Sequence, residues 1–325
     1  MEIDTIRNEV IIVLMKPRKP PLILDSLSAA VRRIVPYHTK EQALQSRLSA
    51  VQAGYAGELV LDRVFEHYMF SFPHAIFHDL SLNSSTRFQV DTLFVTSSHA
   101  VVLEVKNIAG ALTLRNNPPQ LIRTLENGQT NSFESPVSQL ERKIELLQDW
   151  LVCRSIHLPV KGAIVLAHPK HAVSAETAEV PFLYPSGIPS YLRRLASSTS
   201  VLLPDQFSLL NDQLLQGHHD FFPQPICESY SLTNQDFRSG VFCETCAAPT
   251  MLKSRLNWYC SVCEEKSTKA GDQAIRDWFL LFGGTMSNQQ CRDFLHLSNR
   301  HMAYRILKKM EFQIVGGSKN RRYFC

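Results

Sequence analysis

The chain has 325 residues, 44% hydrophobic and 20% charged, a balance that predicts two or three folded domains and argues against wholesale disorder. Its longest aliphatic run, Val10 to Met15, is six residues, far too short to span a bilayer. The net charge of +4 is uneven: residues 271–325 hold nine Lys/Arg and four Asp/Glu, while the other 270 hold 25 and 26, as expected of a near-neutral body with a basic module able to meet phosphates.

Acidic Glu2, Asp4 and Glu9 stand where a secretory leader needs positive charge, and no small-residue cleavage site follows Met15. A soluble, cytosolic protein with no membrane partner is therefore expected. Val10 to Met15 reads as a short strand, and Lys16-Pro17-Arg18-Lys19-Pro20-Pro21 as a connector, because proline continues neither a helix nor a central strand. Residues 1–45 are taken as an N-terminal extension. From Thr39 to Phe70 the pattern is helical, with Gly54 and Gly57 allowing close approach. Strand-like runs follow at Ala75 to Leu80, Phe88 to Val95 and Ala100 to Val105. The polar turn Thr96-Ser97-Ser98-His99 joins the last two as a hairpin. Val137 to Val152 is an amphipathic helix with Leu140, Ile144, Leu147 and Leu151 on one face, and Val160 to Ala167 reads as a buried strand. This order predicts an α/β domain with a mixed central sheet, over about 46–225 with its core at 50–170. Residues 171–225 carry no interpretable motif, only short helices near Tyr191 to Leu195 and Phe207 to Leu215.

The chemistry concentrates in the predicted hairpin. Glu104 and Lys106 lie two apart on an otherwise apolar strand, so both side chains face the same way, and the hairpin brings Asp91 alongside Glu104. Two carboxylates and a lysine at one sheet edge suit Mg2+ (or Mn2+), which accepts one or two carboxylates, keeps several waters and recruits a phosphate oxygen. Such an ion activates a bound water and stabilises charge developing on phosphorus. A Glu-x-Lys at a strand end is common by chance, and Asp91 alone reads equally as a turn residue.

The ordered set Gly54-Tyr55-Ala56-Gly57-Glu58, Gln89-Val90-Asp91, Glu104-Val105-Lys106-Asn107 and Ser135-Pro136-Val137-Ser138-Gln139-Leu140 resembles the NERD, or nuclease-related domain, family of the PD-(D/E)xK nucleases. The resemblance covers roughly a third of the chain and implies a restriction-endonuclease-like core. Carried over, it makes Asp91 and Glu104 metal ligands and Lys106 the catalytic lysine. Glu58 becomes an accessory carboxylate, also toward the metal, and Gln139 a polar group reaching the site from the later helix. Val90 stands where the family has proline, leaving the carboxylate in place.

Cys243, Cys246, Cys260 and Cys263 form two CxxC knuckles separated by 13 residues. Within residues 226–270 they resemble a zinc ribbon, whose four thiolates leave no position for substrate, so Zn2+ is expected to be structural. A redox role fits one CxxC but not two framing a hairpin. Residues 271–325 read as helices Asp272 to Leu281, Ser287 to Leu295 and Ser298 to Met310, with Ser287 and Ser298 as N-caps, and a hairpin from Phe312 to Phe324. This resembles a winged helix, in which Arg300, Arg305, Lys308, Lys309, Lys319, Arg321 and Arg322 would touch DNA. A solvated basic face or a protein-docking module would look similar, so a protein partner or second copy at ribbon and tail stays open. His67, His74, His78 and His99 have no metal-ligand spacing. The expected function is a metal-dependent DNA nuclease in DNA processing, repair or defence. The alternative is a non-catalytic DNA-binding or regulatory protein reusing the fold.

Overall fold

Strands that are apolar on both faces must be covered on both, and that requirement organises the first half of the molecule. The computed structural model of the chain describes residues 12–168, 173–175, 180–196, 199–317 and 320–324. β1 (Ile12–Lys16), α1 (Leu22–Arg33) and α2 (Glu41–His67) lead into three long strands, β2 (His74–Asn83), β3 (Arg87–Val95) and β4 (Ala100–Lys106). Shorter strands β5 (Ala111–Asn116), β6 (Pro119–Thr124) and β7 (Thr130–Glu134) precede α3 (Pro136–Val152). Next come β8 (Val160–Leu166), β9 (Val173–Ala175), β10 (Phe182–Leu183), α4 (Ile188–Ala196) and α5 (Pro204–Gln216).

One compact unit comprises residues up to Pro20 together with Gln52–Phe221. Its central sheet runs β1-β2-β3-β4-β8-β10, and a smaller sheet runs β7-β6-β5-β9. Pairing in the central sheet is antiparallel for β2/β3 and β3/β4 and parallel for β1/β2, β4/β8 and β8/β10, the expected mixed sheet. Thr92 lies opposite Leu103 and Val95 opposite Ala100, so Thr96 to His99 is the hairpin turn. On one face Leu93, Val95 and Val102 pack with Leu140, Leu147 and Trp150 of α3 and Leu210 of α5. On the other, Phe94, Val101, Leu103 and Val105 pack with Leu61, Val64 and Phe65 of α2 and Ile188 of α4. A Cβ on Gly57 would stand 2.5 Å from Asn107 Cβ, so glycine there lets α2 close onto the end of β4, whereas Gly54 faces open space.

The second unit comprises Pro21–Val51 and the chain from Phe222 onward. After α6 (Ile226–Tyr230), strands β11 (Val241–Cys243), β12 (Ala248–Lys253), β13 (Trp258–Cys260) and β14 (Lys266–Ser267) form an antiparallel sheet. There follow α7 (Ala270–Phe282), β15 (Met286–Ser287), α8 (Asn288–Leu295), α9 (Arg300–Lys309), β16 (Gln313–Val315) and β17 (Arg322–Phe324). β15-β17-β16 make a three-stranded sheet beside the helices, the arrangement of a winged helix. Ser287 Oγ accepts from the Gln290 N–H at 3.1 Å as expected, but the cap of α9 is Asn299, accepting from the His301 N–H at 2.7 Å, not Ser298.

These divisions differ from the sequence boundaries in two ways. Residues 1–45 are not one extension: β1 is a sheet edge, while α1 joins the second unit through the buried Arg33, whose Nε donates to Asp277 Oδ2 at 2.7 Å. Ribbon and tail also share one core, since Val241, Met251 and Trp258 cluster with Ile275, Trp278, Phe294 and Leu307. Among the described residues no helix is long and apolar enough to cross a membrane.

Candidate active site

Strand parity decides which charged side chains can meet. On β4, Glu104 and Lys106 share the face of Val102; on β3, Asp91 shares the face of Leu93 and Val95. All three therefore lie under α3. Asp91 is held by its Oδ2, which accepts the Val105 N–H at 2.9 Å. Glu104 is 3% exposed, and its Oε1 accepts from Lys106 Nζ at 2.7 Å. Lys106 Nζ also donates to Gln139 Oε1 at 2.7 Å, so the helix supplies the polar group at the position expected. Gln139 in turn donates to Glu134 Oε2 at 2.9 Å.

The sequence reading misses Lys143. One helical turn beyond Gln139, its ammonium donates to Asp91 Oδ1 at 3.1 Å and to Glu104 Oε2. The i, i+4 spacing from Gln139 is the local signal that could have found it. Burial works against ionisation of Asp91, but Lys143, the Val105 N–H and Lys106 outweigh it and hold the carboxyl below its ordinary range. Burial likewise works to lower Lys143, and the two carboxylates reverse it, holding the ammonium charged.

Glu58 belongs to a neighbouring cluster because α2 covers the opposite face of the sheet. Arg18, whose side chain is 2% exposed, reaches into it from the proline-rich connector. Its guanidinium donates to Glu58 Oε2 at 2.8 Å, Asp62 Oδ2 at 2.8 Å, Asp79 Oδ1 at 2.6 Å and the Asp91 carbonyl at 2.9 Å. These partners lie 40 to 73 residues away, and nothing local to the connector announces them. Asp79 adopts φ +51° within β2, a strained conformation that aspartate tolerates better than most residues. One guanidinium is shared among three carboxylates, so Glu58 remains pushed up to about 8, by burial first and then by the negative Asp91. Near neutral pH it is mostly protonated and a poor cation ligand.

That shift has a measurable consequence. The folded chain keeps a proton that the unfolded chain releases near 4.5, so this stabilising contribution is fully present below pH 4.5 and is lost as pH rises to about 8. Glu58→Gln, which mimics the protonated form, is expected nearly to match the parent at pH 4.5 and to gain several kcal/mol, at most about 5, at pH 9. Denaturant unfolding at the two pH values checks this; an equal gain at both would remove the titration.

The fit of a divalent cation rests on the donor set. The carboxylates of Asp91 and Glu104 converge on one point of positive charge, now filled by the Lys143 ammonium, and two carboxylates suffice for an ion that keeps its waters. Glu58, Asp91 and Glu104 do not gather as a trio. Among the described residues, Cys243, Cys246, Cys260 and Cys263 are the one group of three or more potential ligands whose donor atoms all lie within 4.8 Å of one another.

In the ribbon, Cys243 Sγ is 3.6 Å from Cys263 Sγ, and Cys246 Sγ 3.7 Å from Cys260 Sγ. A tetrahedral zinc with Zn–S near 2.3 Å sets sulfurs about 3.8 Å apart, whereas a disulfide would bring them to about 2 Å. The Cys263 N–H and Thr250 Oγ1 donate toward Cys260 Sγ at 3.4 and 3.0 Å, and these bonds pull its thiol down to about 6. The quartet is compatible with a structural zinc.

In the tail, Arg300, Arg305, Lys308, Lys309 and Arg322 are exposed. Lys309 pairs with Asp272 at 3.0 Å, and Arg321, half-buried, lies over the Tyr304 ring at 5.9 Å. Lys319 lies outside the described residues.

A mixed sheet with Asp91, Glu104 and Lys106 on one hairpin beneath Gln139 has the architecture of a nuclease-like domain. Residues 53–167 match the family model NERD, described as a nuclease-related domain. No curated protein and no solved structure matches the chain.

Proposed function

We propose that the chain is a divalent-metal-dependent nuclease that hydrolyses phosphodiester bonds in DNA. The observation that carries this reading is the meeting of Asp91, Glu104, Lys106 and Gln139 within the residues that match the NERD model. Asp91 and Glu104 would hold Mg2+ (or Mn2+), which when bound lowers the pKa of a water and offsets charge on the phosphate. Lys106, held between Glu104 and Gln139, would direct the attacking water or neutralise the transition state. Glu58, held by Arg18 in the neighbouring cluster, is not one of the metal ligands in this reading. The zinc ribbon and the cationic side chains of α9 and the following hairpin would hold the DNA backbone.

Cleavage of labelled linear, nicked, branched and single-stranded DNA in Mg2+, Mn2+ or EDTA tests the proposal. Metal-dependent cutting by the parent, lost in Lys106→Ala, is expected; cutting that survives the substitution or ignores EDTA sinks it. The second reading, DNA binding without turnover, is favoured by the existing pairing of both carboxylates with lysines. Binding without cutting under every metal condition would select it.

A further inference from the structure

Asp91 and Glu104 together carry two negative charges, and two ammonium groups, Lys106 and Lys143, meet them. The pocket is thus balanced without any added ion. Bringing a divalent cation to the same carboxylates would leave two surplus positive charges among partly buried groups, where Coulomb repulsion is poorly screened. One ammonium has to withdraw.

The contacts indicate which. Lys106 touches only one oxygen of Glu104, Oε1, and is anchored from the other side by the Gln139 amide oxygen. That anchor does not compete with a cation. Lys143 instead stands between the two carboxylates that would hold the cation, taking one oxygen of each, Asp91 Oδ1 and Glu104 Oε2. Its side chain is 18% exposed, so water already reaches it, and the four-carbon stem can swing the head outward without moving α3.

Resting on the reading that Asp91 and Glu104 bind the divalent cation, we propose that Lys143 is an exchangeable occupant of the cation position. Its ammonium holds the carboxylate pair together until the metal displaces it. The site therefore has a built-in threshold. Two carboxylates facing the single ammonium of Lys106 would carry an unbalanced negative charge, so Lys143 keeps the metal-free site intact. Apparent metal affinity is lowered by the fraction of molecules in which Lys143 still occupies the site. A lysine serving only to pin α3 to the sheet would have no such effect on affinity.

The test uses the full-length chain with its zinc retained. Mn2+ binding is measured by titration calorimetry for the parent, Lys143→Met and the double variant Lys143→Met/Glu104→Gln, with circular dichroism to verify folding. Lys143→Met is expected to bind Mn2+ at least about tenfold more tightly than the parent, and the gain should vanish in the double variant. Equal or weaker binding by Lys143→Met overturns the proposal, as does the absence of Mn2+ binding in both proteins.

A second measurement needs no variant. Acylation of Lys143 by an amine-specific reagent, followed by mass spectrometry with Lys106 as internal reference, should speed up several-fold when Mn2+ is added to the parent; an unchanged ratio overturns the exchange. Failure of the nuclease reading looks different. Parent and Lys143→Met proteins that both bind Mn2+ as expected but cut no DNA would remove the enzyme and leave the exchange standing.

Discussion

Glu104→Gln is expected to lower metal-dependent DNA cleavage by about a thousandfold while the chain still folds. The substitution preserves volume but removes one of the two negative charges facing the proposed metal position. Charge stabilisation by a Lewis-acid metal is worth several kcal/mol, and each 1.4 kcal/mol is about a factor of ten in rate. The same exchange leaves Lys106 without a carboxylate partner and Lys143 with Asp91 alone. Removing one partner of a fully buried ion pair costs about 3–5 kcal/mol. Here both ammonium groups are about one-fifth exposed, so a smaller cost, on the order of 1–2 kcal/mol, is expected. Thermal melting must therefore accompany the kinetics. A folded variant that keeps more than a tenth of the parental rate would remove Glu104 from the reaction.

Stripping zinc, or replacing Cys260 by serine, should unfold the ribbon and loosen the second unit. Structural zinc in small finger peptides binds with an apparent free energy of about 10–16 kcal/mol, far more than the few contacts of short strands supply. Three-residue strands such as β11 and β13 do not persist alone, and here they end on Cys243 and Cys260. The damage should spread because Trp258 packs so closely on α7 that a Cβ on Gly271 would lie 2.6 Å from its Nε1. The expected results are one zinc per chain by metal analysis and, with a strong chelator, loss of a cooperative transition that added zinc restores. A melt indifferent to chelation in the zinc-containing protein would leave the cysteines without a structural role.

Much of this molecule follows from local sequence regularities. A two-residue period places Glu104 and Lys106 on one strand face, and the polar turn sets Asp91 beside them. A helical period puts Gln139 over them on α3, and the CxxC spacing builds the thiol quartet. These features depend on backbone geometry over a few residues or a single turn, which is why they can be read without a structure. The tertiary structure alone decided what surrounds them. It carried Arg18 from a connector into a cluster of carboxylates, left Glu58 on the far side of the sheet, and set the Lys143 ammonium at the meeting point of Asp91 and Glu104. It also joined α1 to the C-terminal helices through Arg33 and Asp277, 244 residues apart. Charges find such partners by where distant elements pack and by the cost of leaving a buried charge unpaired, and neither leaves a period in the chain.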